Sequence, residues 1–217
     1  MPRLAEILRD GIPDHWTWKY VRDRTRDIVQ RRRHPTDPWI VPSATELLDK
    51  VLMPGDVVFE FGSGRSTLWF AARLSKVVSV EHDPLWYEHS RKLVEEAGRS
   101  NVELHLCPSP PTVDGYVAPL AEHADESFDL VLVDGLYRAE CAELAIRKLR
   151  AGGLLVIDNV ERFFPCDSSS PEAIGNSENS IPADWRALWA ELRQWRRYWV
   201  SNGVTHTAVF WKPAERG

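Results

Sequence analysis

What the sequence has little of narrows its reading first. It holds three cysteines, Cys107, Cys141 and Cys166, an odd number with no CxxC spacing. That pattern argues against a disulfide framework or a zinc site and predicts a reducing, cytoplasmic setting. No window approaches the ~20 apolar residues of a membrane helix, and the first stretch, MPRLAEILRDGIPDHW, has no long apolar segment of the kind a secretory leader needs. Positive charge is not in excess: 27 Lys and Arg stand against 32 Asp and Glu, a formal net charge of −5. That balance predicts no nucleic-acid partner and no membrane partner, and leaves a small molecule as the expected ligand. The basic runs Arg31-Arg32-Arg33 and Arg193 with Arg196-Arg197 read as solvated faces or helix ends. Homodimerisation is open at this level.

What is present is a chain of 217 residues, 43% of them hydrophobic, enough for one core with a modest extension. Residues 1–42 are polar, Arg-rich and broken by Pro13, Pro35, Pro38 and Pro42, and are expected to form a helical N-terminal extension. The main domain is expected over 43–217. It opens with a helix from about Ser43 to Leu52, for which Ser43 and Glu46 offer a capping box.

A strand–helix alternation follows. Strands are expected at Val57–Phe61, Lys76–Glu81, Val102–Leu106, Phe128–Val133 and Leu154–Ile157. Helices are expected at about Ser66–Leu74, from the Asp83-Pro84 cap to about Ala97, and at about Arg138–Leu149, the last closed by Gly152-Gly153. This rhythm predicts an α/β fold with an open parallel sheet covered by helices on both faces. Residues 165–182, PCDSSSPEAIGNSENSIP, read as a long loop that could act as a lid. Trp185, Leu188, Trp189 and Leu192 then fall at helical spacing, and residues 197–200 and 204–211 flank the turn Ser201-Asn202-Gly203 as an antiparallel hairpin.

In an open α/β sheet, ligands bind beyond the carboxyl ends of the strands. The first strand ends in F-E-F-G-S-G-R-S-T, with Glu60 inside an apolar run. A buried charge is costly without a partner, so Glu60 asks for one. Gly62-Ser63-Gly64 allows a tight turn and close approach of a ligand to backbone. The sixth position of a dinucleotide fingerprint is Thr67 rather than glycine, and no Walker-type Gly-Lys-Ser/Thr follows. The second strand ends in Glu81, 17 positions after Gly64 (81 − 64), near the offset at which an acid accepts from a ribose diol.

These residues, FEFGSGRS followed by VVSVEHD, resemble motifs one and two of the class I S-adenosylmethionine-dependent methyltransferases over roughly residues 43–212. The resemblance implies a Rossmann-like, doubly wound, mostly parallel seven-stranded sheet whose last strand lies in the hairpin. It implies that Glu60, Gly62, Ser63 and Gly64 line the methionine end of S-adenosyl-L-methionine, with Ser66 and Thr67 near its carboxylate. Glu81 would hold the ribose and His82 would lie beside the adenine.

Three oxygen-bearing side chains, Asp134, Asp158 and Asn159, end the fourth and fifth strands. The trio resembles that of the catechol-type O-methyltransferases, which implies Mg²⁺ or another divalent cation. The spacing of 24 (158 − 134) and the sequence DGLYR depart from that pattern. Without metal, methyl transfer needs alignment and proton removal. Asp134 is then the first candidate base, also near the cofactor, His206 the second and Asp158 the third. His15, His34, His89, His105 and His123 show no ligand spacing. Trp39, Trp69 and Trp86, with Phe163-Phe164, are candidate pocket walls, with core packing as the default reading.

The expected activity is methyl transfer to a hydroxyl oxygen of a small molecule. A non-catalytic cofactor-binding module is the alternative. A nicotinamide-dependent oxidoreductase is disfavoured by Glu60 and by the missing third glycine.

Overall fold

The computed structural model describes residues 17–214, so His15, Pro13 and any helix within residues 1–16 lie outside it. Helix α1 (Trp18–Arg33) is capped by Thr17, whose hydroxyl accepts from the Tyr20 N–H. Its inward-facing acids tie it to the far end of the chain: Asn202 Nδ2 donates to Asp27 Oδ1 at 2.9 Å, inside the closing hairpin turn. Arg24 and Arg31 also pair with Asp27. Arg31, Arg32 and Arg33 fall in the last turn of this helix, one of the two placements expected for that basic run.

Helix α2 (Pro42–Val51) begins one residue earlier than expected and has no side-chain cap. The Ser43/Glu46 capping box does not form, because proline at the first position already lacks an N–H. The Val41 N–H at its start is satisfied by Thr207 Oγ1 at 3.0 Å.

Seven strands follow: β1 (Val57–Phe61), β2 (Lys76–Glu81), β3 (Val102–Leu106), β4 (Phe128–Val133), β5 (Leu149–Asp158), β6 (Arg196–Ser201) and β7 (His206–Trp211). They form one sheet in the order β3-β2-β1-β4-β5-β7-β6. β1 pairs in parallel with β2 and β4, and β7 runs antiparallel between β5 and β6. The helices between them are α3 (Arg65–Ala71), α4 (Pro84–Glu96), α5 (Val113–Ala121), α6 (Arg138–Lys148) and α7 (Arg186–Leu192).

Alternation along the strands gives the sheet two apolar faces. Phe59, Phe61, Val78, Val80 and Val131 pack towards Tyr116 and Leu120 of α5 and Ala142 and Ala145 of α6. Val58, Val77, Leu130 and Val156 pack towards Leu48 of α2 and Trp69 and Phe70 of α3. A fully buried Phe, Leu or Val stabilises by about 1.5–3 kcal/mol, so these two layers carry most of the fold.

Two elements differ from the sequence expectation, while residues 165–182 keep the expected loop. Helix α5 occupies a stretch without a recognisable amphipathic run, since Pro119 and Gly115 break its pattern. Gly152-Gly153 does not stop a helix but lies within β5, where the ladder to β4 has a register shift between Phe128 and Leu130. Residues 165–182 contain a short 3₁₀ turn at Glu178–Ser180, and Phe163 stacks on Trp185 at 4.3 Å. Phe164 is fully buried among Trp185, Trp189 and Phe210. Phe163 and Phe164 therefore belong to the core.

Among the described residues, no helix is long and apolar enough to cross a membrane.

Candidate active site

Sequence order reverses between β1 and β4, and a crevice opens beyond the carboxyl ends of such strands. A cavity of about 400 Å³ lies there, lined by Gly62–Ser66, Glu81–Asp83, Trp39, Trp86, Asp134 and Gly135. The volume falls within the range of about 300–1,000 Å³ common for small-ligand sites.

The glycine turn is shaped by contact as well as by conformation. Gly62 has φ +98°, and a Cβ there would approach the Asp134 carbonyl oxygen to 3.1 Å. Gly64 lies under the Trp86 ring, whose Nε1–H donates to the Ser63 carbonyl. Trp86 is presented by α4, which Asp83 caps by accepting from the Leu85 and Trp86 N–H groups. Trp39 faces Trp86 at a centroid distance of 6.0 Å, and the Arg65 guanidinium lies 5.2 Å from the Trp39 ring.

Glu60 finds its partners beneath this turn. The Gly64 N–H donates to Thr67 Oγ1 at 2.9 Å, and Thr67 in turn donates to Glu60 Oε1. Ser79 Oγ also donates to that oxygen, at 3.2 Å. Glu60 Oε2 is buried without any partner. Burial therefore pushes the carboxyl up to about 8, against the lowering effect of the hydroxyls.

Glu81 is more completely satisfied. Its Oε2 accepts from the Ser63 N–H at 3.0 Å and from Ser63 Oγ at 3.2 Å, and its Oε1 accepts from the His82 and Asp83 N–H groups at 2.8 and 3.0 Å. Ser63 Oγ also lies 2.9 Å from Ser90 Oγ. That hydroxyl can leave Glu81 for Ser90, freeing a lone pair for an entering ligand.

Opposite the turn, Asp134 ends β4 with its side chain about 30% exposed, while Asp158 is buried beneath the sheet end. The two acids are not equivalent. The Asp158 carboxylate accepts from Thr207 Oγ1–H, its cross-strand neighbour, and burial together with the Asp134 charge pushes it up to about 8. Asp158 and Asn159 are absent from the cavity lining.

The expected metal trio does not form an open oxygen cradle. The Arg138 guanidinium lies among its members, donating to Asp134 Oδ1 at 2.9 Å, to the Asp158 carbonyl and to Asn159 Oδ1 at 3.2 Å. No cluster of three or more His, Cys, Asp or Glu suited to a metal occurs among the described residues.

His206 is likewise turned elsewhere. Its Nδ1 accepts from Trp199 Nε1–H at 3.0 Å, its own N–H donates to Glu161 Oε2, and burial lowers its pKa. It does not line the cavity. Of the three candidate bases, only Asp134 reaches it.

Sequence reasoning missed Arg138, Arg65 and Tyr116. Arg138 follows the strand-end Asp134 by four residues, a spacing that pairs side chains at a helix start. Tyr116 carried no local signal. Its buried hydroxyl packs on the Cα of Gly135, where any Cβ would collide with it.

Residues 59–160 match the family model described as a methyltransferase domain. No curated protein matches the chain by sequence. Solved structures are similar in fold. A methyltransferase from Geobacter sulfurreducens is 19% identical, with TM-score 0.55, covering 98% of this chain and 96% of its own. A SAM-dependent methyltransferase from Aquifex aeolicus is 15% identical, with TM-score 0.53, covering 90% and 98%. A candidate methyltransferase from Streptococcus mutans in complex with SAH is 13% identical, with TM-score 0.56, covering 79% and 96%.

Proposed function

We propose that the chain is a class I S-adenosylmethionine-dependent methyltransferase, as the methyltransferase-domain match over residues 59–160 and the shared fold support, and that it transfers the methyl to a hydroxyl oxygen of a small molecule with Asp134 as the base. The observation that carries this reading is the cavity itself. One wall is the Gly62–Gly64 turn with Glu81, and Asp134 lies opposite.

The residues present fit S-adenosylmethionine on three counts. A Cβ at Gly62 would press on the Asp134 backbone, so only glycine lets the turn that lines the cavity pack against the β4 end. Glu81 presents a buried carboxylate with a movable serine donor, suited to a pair of ribose hydroxyls. Glu60 does not itself line the cavity, and it supports the cofactor wall from beneath through Thr67, which accepts from the Gly64 N–H and donates to Glu60. His82, at 35% side-chain exposure beside Glu81, is assigned to the adenine side and Ser66 to the carboxylate side, whereas Thr67 is buried with its hydroxyl on Glu60 and does not line the cavity.

When bound, the cofactor supplies a methyl group on a positively charged sulfur. The chain's own residues do the rest. Asp134 is the cavity's carboxylate at the β4 end, and it takes the proton of the acceptor hydroxyl as the new oxygen–carbon bond forms. Trp39 and Trp86 line the cavity with their rings 6.0 Å apart and give it an apolar wall. A carboxylate base beside the acceptor favours a hydroxyl over an amine, because a neutral amine needs no proton removed before it attacks.

The test is methyl transfer from labelled S-adenosylmethionine to a panel of phenols, aliphatic alcohols and amines. Oxygen methylation that Asp134→Asn abolishes, with S-adenosylhomocysteine binding retained, supports the reading. Products methylated only on nitrogen would overturn it.

A further inference from the structure

We propose that Arg138 fills the place a divalent cation would take among the oxygens of Asp134, Asp158 and Asn159, making the positive charge of this site a permanent part of the chain. The inference rests on the methyl-transfer reading for its purpose, but its geometry stands apart from it.

The guanidinium has five N–H donors in a rigid fork. Four oxygens receive them: the Gly135 carbonyl from Nε at 3.0 Å, Asp134 Oδ1 from Nη2 at 2.9 Å, and the Asp158 carbonyl and Asn159 Oδ1 from Nη1. The Arg138 side chain is only 11% exposed, so this is a built arrangement and not a surface pair. Its partners are fixed in turn. Asn159 holds left-handed backbone at φ +53°, and its Nδ2 donates to Thr205 Oγ1, which turns Oδ1 towards the arginine. Tyr137, at φ +47°, sets the start of α6 so that Arg138 is its first residue.

A hard cation needs about six oxygen ligands at roughly 2.0–2.6 Å. Two of the side-chain oxygens it would use, Asp134 Oδ1 and Asn159 Oδ1, accept from Arg138, which also takes the Asp158 backbone carbonyl, and the Asp158 carboxylate accepts from Thr207. A guanidinium is charged at every working pH and cannot be removed by a chelator. Arg138 is thus a positioning residue. It binds one oxygen of Asp134, stabilises its ionised form and sets the direction in which the carboxylate faces the cavity.

The test uses the full chain and Mn²⁺ as the probe, followed by electron paramagnetic resonance. The parent should leave the free Mn²⁺ signal undiminished. Arg138→Ala, which frees the oxygens, should bind Mn²⁺ at least tenfold more tightly, and the gain should vanish in Arg138→Ala with Asp134→Asn. Arg138→Lys keeps a cation and should exclude Mn²⁺ as the parent does. If the alanine variant does not fold, Arg138→Met keeps the apolar stem and serves in its place. Stoichiometric Mn²⁺ binding by the parent that Asp134→Asn abolishes would overturn the proposal, as would a variant lacking the arginine that binds Mn²⁺ no better than the parent. Calorimetry with S-adenosylhomocysteine on the same samples separates the two readings. A parent that fails to bind it loses the methyl-transfer reading, while Mn²⁺ still decides the place of Arg138.

Discussion

Replacing Glu60 by Gln tests what a carboxyl is doing inside the central strand. Glu60 is fully buried, its Oε1 bonded by two hydroxyls and its Oε2 by nothing. Its carboxyl is raised to about 8, first by burial, against a usual value of 4.5. Because the folded value lies above the unfolded one, the neutral acid's contribution is complete below about 4.5 and is lost as pH rises through about 8. In that window the parent should lose stability at up to about 1.4 kcal/mol per pH unit. Between pH 5.5 and 7.5 the loss from this one group is on the order of 2.5 kcal/mol, following from values of 4.5 and about 8. Glutamine keeps the shape and can still accept from Thr67, but does not ionise. Urea denaturation of the ligand-free proteins at pH 5.5, 6.5 and 7.5 should therefore show Glu60→Gln gaining on the parent as pH rises. A stability difference that stays flat across those three points, or that shrinks, would refute the account of Glu60 as a neutral acid beneath the turn.

Other consequences are local. Glu81→Gln places an amide NH₂ against backbone N–H donors of Ser63 or of His82 and Asp83, so S-adenosylhomocysteine affinity by calorimetry should fall at least tenfold. Unchanged affinity would mean that this cavity is not the cofactor site. Gly135→Ala drives a methyl into the Tyr116 ring end and should destabilise by about 1–3 kcal/mol in urea. Adding Tyr116→Phe removes the colliding oxygen and should recover part of that loss, but not all, because the Phe61 backbone is also close at 3.1 Å. Asn202→Ala removes the bond that ties the hairpin turn to the buried Asp27 and should cost about 1–3 kcal/mol, read by the same denaturation.

What the sequence made legible follows the range over which each feature is encoded. The five parallel strands could be read because each is a short apolar run closed by its own turn, and so could α4, with Asp83 and Pro84 adjacent at its start. The glycine-turn wall of the cavity was legible for the same reason: Glu60 to Thr67 form one β-turn-α unit, and Glu81 ends the neighbouring strand in register with β1. Helix α5 was not, because its register is imposed by packing Tyr116 and Leu120 onto the sheet and not by its own pattern.

The Asp134 side of the cavity has a different origin, and this is why the sequence left a metal-bound and a metal-free reading open there. Asp134, Asp158 and Asn159 do end adjacent strands, as their positions implied. Their side chains diverge because of two residues the spacing could not weigh. Thr207, brought across from the antiparallel β7, takes the Asp158 carboxylate, and Arg138, one helical turn beyond Asp134, takes one oxygen each from the Asp134 and Asn159 side chains. A donor set read from sequence counts oxygens but not the cations already bound to them. Three oxygens are open to a metal only if no guanidinium reaches them first, and a basic residue four positions after a strand-end acid is the sequence signal that one does. In DGLYR that residue is the terminal arginine. The same pentapeptide that departs from the metal-binding pattern thus carries the charge that replaces the metal.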